Sequence, residues 1–155
     1  MGQRLIIEPV VKVKNDECYT PKWVFDALGL TFDLDVASGN NENIVVPATR
    51  RYTIEDNGLE SEWSGRVWMN PPFSKITPWI EKFMNHKNGI CLVPLSSNGR
   101  WVNTMWESGA AVTYLPANMA FVTREGKEIK HRWRCSMWVY GDKNIEALRA
   151  IGKVR

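Results

Sequence analysis

The chain of 155 residues predicts an α/β domain on a mixed, mostly parallel sheet with a C-terminal antiparallel hairpin. Three observations carry that expectation. Short apolar strand segments alternate with amphipathic helical ones along most of the chain. Two consecutive prolines, Pro71 and Pro72, stand directly behind an apolar segment and force a loop at a strand's end. Beyond residue 120 the pattern changes to two apolar segments flanking a long polar one. A single domain over 1–155 is expected, since this length suits one core and not two.

Taken in order, a basic, Val-rich lead-in occupies residues 1–14. Thr20 to Gly29 then reads as a short helix, with Thr20 as cap, Pro21 at the first helical position and Gly29 at the stop. Leu30 to Val36 alternates apolar and polar residues as a strand does. The small residues Ala37-Ser38-Gly39-Asn40-Asn41 follow it as a loop. Residues 50–65 are polar and read as mostly loop with short elements. Arg66-Val67-Trp68-Met69 is the next buried strand, running straight into Asn70-Pro71-Pro72-Phe73. Thr77-Pro78 opens a helix that puts Trp79, Ile80, Phe83 and Met84 on one face, with Gly89 as its end. Ile90 to Val93 is a strand, residues 100–107 a helix and Ala111 to Leu115 a third strand. Ala120-Phe121-Val122 and Met137 to Tyr140 are expected to pair antiparallel around an exposed loop over 123–136. A helix from about Asn144 to Leu148 closes the chain.

Composition narrows the function classes. A formal net charge of +3 suits a polyanionic partner but is far from that of a nucleic-acid packaging protein. Cys18, Cys91 and Cys135 are odd in number and form no C-x-x-C pair, and His86 and His131 lack an H-E-x-x-H setting, so neither a disulfide framework nor a metal centre is expected. No apolar run is long enough to span a bilayer and the first residues do not read as a secretory signal, which makes a reducing cytoplasm the expected compartment. The eight tryptophans serve as core filler or as stacking surfaces for bases.

The segment that carries chemistry is Asn70-Pro71-Pro72-Phe73. An exocyclic amine on an aromatic ring is a poor nucleophile because its lone pair is delocalised. A side-chain oxygen from Asn70 and the Pro71 carbonyl, held side by side by the rigid prolines, can accept both N–H bonds and favour a pyramidal nitrogen. Phe73 suits stacking on a flipped base, an interaction of ~1–3 kcal/mol in single-strand binders. The loop also follows a strand, at the edge where ligands of open sheets bind.

With these residues in view, the sequence resembles the phage-type DNA N6-adenine methyltransferases, the phage Dam family. The resemblance rests on ordered blocks from about residue 15 to 140: Asn15 to Pro21, Phe32 to Ser38, Pro47-Ala48, Tyr52-Thr53, Gly58-Leu59, Trp63, Gly65 to Ser74, Leu92-Val93-Pro94 and the expected Met119 to Tyr140 hairpin. It implies a Rossmann-like methyltransferase fold, S-adenosylmethionine as cofactor and double-stranded DNA as partner. By the same resemblance Tyr19, Thr20 and Pro21 lie beside the cofactor. Asp35, Ala37, Ser38 and Gly39 resemble an altered D-P-x-x-G cofactor loop, with Val36 in place of the proline. There Asp35 would pair with the methionine ammonium, with Asp33 as the alternative, and Asp56 would accept from the cofactor's ribose or adenine.

For DNA, Lys127, Lys130, Arg132 and Arg134 surround Trp133 in the expected loop, a mixture suited to phosphates or to a flipped base, and Arg50 and Arg51 form a second candidate. Short or relaxed sequence preference is expected, with dimerisation as one way to extend the contact. Methylation of RNA adenine or protein glutamine uses the same amine geometry, and a non-catalytic phage protein that binds DNA or a host factor would keep the same fold.

Overall fold

The computed structural model describes residues 18–95, 100–117, 119–130 and 134–155. The lead-in 1–14 lies outside them. Six strands form the main sheet: β1 (Phe32–Asp35), β2 (Ala48–Arg51), β3 (Val67–Met69), β4 (Gly89–Pro94), β5 (Ala111–Tyr114) and β8 (Cys135–Tyr140), in the order β2-β1-β3-β4-β8-β5. β1 to β4 pair parallel, and β8 runs antiparallel to both β4 and β5. A separate antiparallel hairpin joins β6 (Ala120–Val122) to β7 (Glu128–Lys130).

Four helices among the described residues cover both faces. α1 (Lys22–Leu28) and α4 (Asp142–Leu148) lie on one, where Val24, Phe25 and Leu148 pack with Phe32, Trp68, Leu92 and Met137. α2 (Thr77–His86) and α3 (Arg100–Glu107) lie on the other, where Ile80, Phe83, Trp101 and Met105 pack with Val67, Met69, Val93 and Trp138. Strict alternation in β3, β4 and β8 feeds both cores, as expected of strands covered on two sides. Trp68, 1 % exposed, anchors the first core with its ring 4.7 Å from Phe25 and 5.6 Å from Phe32. Burying such a side chain is worth at most roughly 5 kcal/mol in area terms. No helix among the described residues is long and apolar enough to cross a membrane.

Several expectations are corrected. Residues 120–122 do not pair with 137–140. They pair with β7, while β8 enters the main sheet, because Met137, Val139 and Trp138 are apolar on both sides and need two covered faces. Within the polar stretch the edge strand β2 lies beside β1. α1 begins after Pro21, an extended cap residue with no side-chain cap bond, so Thr20 does not cap it. α2 ends at His86 with Lys87 left-handed at φ 59°, and Gly89 opens β4 instead of ending the helix. In β1 the simple alternation fails. The Arg66 carbonyl accepts both Asp33 N–H at 2.8 Å and Leu34 N–H at 3.3 Å, a bulge that sends Phe32 to one core and Leu34 to the other. Asp35 therefore lies on the Trp68 side, level with Trp68 itself.

Candidate active site

The chain leaves β1 towards β2 on one side and returns to β3 on the other. The connections thus part in opposite directions between β1 and β3, which opens a crevice at their carboxyl ends. Both segments singled out in the sequence end there: the loop Val36 to Gly39 after β1 and the Asn70 loop after β3. Between them lies a cavity of about 380 Å³ bordered by Tyr19, Ala37, Ser38, Gly39, Asn70 and Pro72. A small recess beside it holds Asp35 and Thr20.

Asp35 is 2 % exposed. Its Oδ1 accepts the Ala37 N–H at 3.3 Å, and its Oδ2 lies 3.6 Å from Arg51 Nη1. Burial pushes its carboxyl up to about 7, against the opposing pull of the Ala37 N–H, Arg51 and Ser38. A carboxylate this deep carries its charge at a cost, and one guanidinium at 3.6 Å is an incomplete partner. Ser38 N–H donates to the Tyr52 carbonyl at 2.8 Å, tying the loop to the segment after β2.

Asn70 borders both this cavity and the recess that holds Asp35. Its Nδ2 donates to Thr20 Oγ1 at 3.4 Å, which leaves Oδ1 as the acceptor. No described donor reaches the Pro71 carbonyl, whereas the Pro72 carbonyl accepts Lys75 N–H at 3.2 Å as a 3-10 turn begins over Phe73–Lys75. Two acceptors at adjacent positions are thus available on one rigid loop. Phe73 is half-buried against the core that contains Cys18, Met119 and Phe121 and is not among the residues that border this cavity.

The rest of the lining consists of residues to which the sequence assigns no site role. Tyr52, Thr53, Ile54, Gly58 and Trp79 border the cavity, with Ile54 94 % exposed at its mouth. Gly58 is required by close approach, since a Cβ there would drive into the Val36 carbonyl and meet Trp79 at 3.0 Å. Lys82 on α2 clamps this wall: Nζ donates to the Leu59 carbonyl at 2.8 Å, to Gly58 at 3.3 Å and to Ser61, and lies 5.1 Å from the Trp63 ring centre. Burial lowers its pKa, and Glu60 and Glu62 oppose the shift. The signals were present as the blocks Tyr52-Thr53, Gly58-Leu59 and Trp63, but nothing local says that they face one cavity.

The remaining expected residues divide. Pro21 follows Thr20 at the start of α1 without bordering the cavity. Asp33 accepts Arg66 N–H at 2.7 Å and stays away from the cavity. Asp56 accepts the Thr53 N–H at 2.8 Å and closes a turn beside it. Lys127 and Lys130 are exposed on the β6–β7 hairpin, which Tyr19 binds through paired backbone bonds to Val122 of 2.7 and 2.9 Å. Arg134 is separate from that hairpin: its Nε donates to the Leu115 carbonyl at 2.8 Å. Arg132 and Trp133 lie outside the described residues. Arg51 serves Asp35 and the Val46 carbonyl, while Arg50 lies 5.5 Å from the Tyr52 ring centre.

The arrangement thus brings the Asn70 loop and the buried, under-compensated carboxylate of Asp35 together beside one cavity. The family model described as DNA N-6-adenine-methyltransferase (Dam) matches residues 9–154. No curated protein sequence matches the chain. Nearly the whole chain is covered by that one model, and the cavity lies within the matched residues, so this protein belongs to the Dam family of DNA N-6-adenine-methyltransferases.

Proposed function

We propose that this chain transfers a methyl group from S-adenosylmethionine to the exocyclic amine of an adenine flipped out of duplex DNA, on a Rossmann-like methyltransferase fold. The observation that carries the reading is that Asn70 borders both the cavity and the small recess beside it in which Asp35 is buried. The fold assignment is supported by helices on both sheet faces and by the single reversed strand β8 between β4 and β5.

The residues present fit the cofactor. A volume of about 380 Å³ suits a small ligand. Gly39 keeps the loop open, since a Cβ there would meet the Tyr19 hydroxyl and Ile44 at 3.0 Å. Asp35 would hold the ammonium of the methionine part, and Ile54 and Trp79 would offer an apolar wall to the adenine ring. S-adenosylmethionine supplies, when bound, a methyl group on a positively charged sulfur.

Asn70 Oδ1 and the Pro71 carbonyl accept the two N–H bonds of the target amine, which localises its lone pair and aims it into the cavity. Thr20 holds the Asn70 amide so that its oxygen is the group presented. The amine proton released after transfer has these same two oxygens as its nearest acceptors.

Purified protein should transfer labelled methyl from S-adenosylmethionine to adenine in unmethylated duplex DNA. Asn70→Ala should abolish transfer while leaving the melting temperature and cofactor affinity of the wild type. Transfer to RNA or protein but not DNA, or full activity in Asn70→Ala, would overturn the proposal. Digestion of the product with methylation-sensitive nucleases then reads the sequence context.

A further inference from the structure

The outer edge of the sheet carries a second concave surface. β5 is the last strand on that side, and the C-terminal segment runs beside it. Val112 and Arg155 exchange backbone bonds of 2.8 and 2.9 Å, and Thr113 Oγ1 donates to the Lys153 carbonyl at 2.6 Å. Alongside lies a groove of about 510 Å³ bordered by Trp106, Tyr114, Arg134, Lys153 and Arg155.

Its chemistry differs from that of the first cavity. Arg134, Lys153 and Arg155 are exposed, and no acidic residue is among the described residues that border the groove. Trp106 is 53 % and Tyr114 52 % exposed. Arg134 is not a loose surface cation. Its bond to the Leu115 carbonyl and its position 5.9 Å from the Tyr114 ring centre fix the charge at the rim. Three cationic side chains converging with no acidic side chain among them repel one another, and an anion relieves that repulsion. The exposed rings add flat apolar surface of the kind that sugars and bases contact.

Register places this groove relative to Asn70. Met69 is level with Cys91, Cys91 with Trp138 and Trp138 with Val112. Tyr114 lies two residues beyond Val112 and Pro71 two beyond Met69, so both stand at the same carboxyl edge. Three strand spacings separate β3 from β5, about 14 Å at the usual interstrand distance. That span equals about 4 base pairs of duplex.

We infer that the groove of Trp106, Tyr114, Arg134, Lys153 and Arg155 holds the phosphate backbone of the target duplex about 4 base pairs from the adenine presented to Asn70. This surface extends the proposed function and rests on it. It is distinct from the β6–β7 hairpin that carries Lys127 and Lys130.

The test uses the full chain with Lys153→Gln and Arg155→Gln combined, since both side chains are exposed and neither borders the catalytic cavity. The slope of log affinity for duplex DNA against log salt should become shallower by about 1.8, and by about 0.9 for Lys153→Gln alone. Wild-type affinity should rise when the duplex is extended from about 3 to about 6 base pairs past the target on one side, and the double variant should lose that gain. Single-turnover methyl transfer at saturating DNA should be unchanged. An unchanged salt slope and a retained length dependence, with methyl transfer intact, would overturn this inference alone. Absence of duplex binding by the wild type would overturn it together with the reading on which it rests.

Discussion

Asp35→Asn isolates the cost of a carboxylate buried beside the cavity. In the folded chain its pKa stands at about 7 against an ordinary 3.8, with desolvation the leading cause. The native state therefore binds this proton more tightly than the unfolded chain does. The stability that the group contributes is complete below pH ~4 and is lost as pH rises through about 7. At ~1.36 kcal/mol per pH unit between the two values, the total loss is on the order of 4 kcal/mol. Asparagine is neutral in both states and still accepts the Ala37 N–H, so the variant escapes that loss. Its advantage over wild type should be near zero at pH 3, on the order of 1 to 2 kcal/mol at pH 5 and on the order of 4 kcal/mol at pH 8. Arg51 loses a partner, but its side chain is 37 % exposed, so that term is small. Urea unfolding at the three pH values, read from midpoints at constant m, measures the difference. A variant less stable than wild type at pH 8, or a difference that does not change with pH, would refute the reasoning. The same variant should lose cofactor affinity, the expected exchange of stability for function at a site that keeps a buried charge.

Two further outcomes follow from the walls of the site. Lys82→Met should raise the KM for S-adenosylmethionine with little change in kcat and cost ~2 kcal/mol of stability, since one charged donor to three carbonyls is lost; an unchanged KM in steady-state assays would show that the clamp does not shape the cofactor wall. Phe73→Ala should cost ~2 kcal/mol in thermal or urea unfolding, because the ring packs on the core; a loss of turnover with unchanged stability would instead place the ring on the substrate base.

The loops of the site were legible because their residues restrict the backbone locally. Pro71 and Pro72 exclude helix and central strand whatever surrounds them, and the small residues after Asp35 mark a strand's end. The strands β4, β5 and β3 were legible as apolar runs. What failed had non-local causes. The partner of Ala120–Val122 was misassigned because apolar composition does not say which edge a strand joins, and β8 is drawn between β4 and β5 by the need to cover both of its faces. Nor does the sequence show that the entry into β8 brings Arg134 onto the Leu115 carbonyl and beside Tyr114 of β5.

From the amino-acid order alone came the α/β class, the proline-fixed loop at Asn70 and the family, since each depends on short blocks and their succession. Only the tertiary structure decided that a bulge at Asp33 and Leu34 turns Asp35 towards Trp68, and that Arg51 is its counter-ion. It alone brought Tyr52, Gly58 and Trp79 to the same cavity as Asn70. The physical reason is common to these cases. Backbone restriction is a property of neighbouring residues, whereas burial, and with it the charge state of Asp35, depends on everything that packs around a residue.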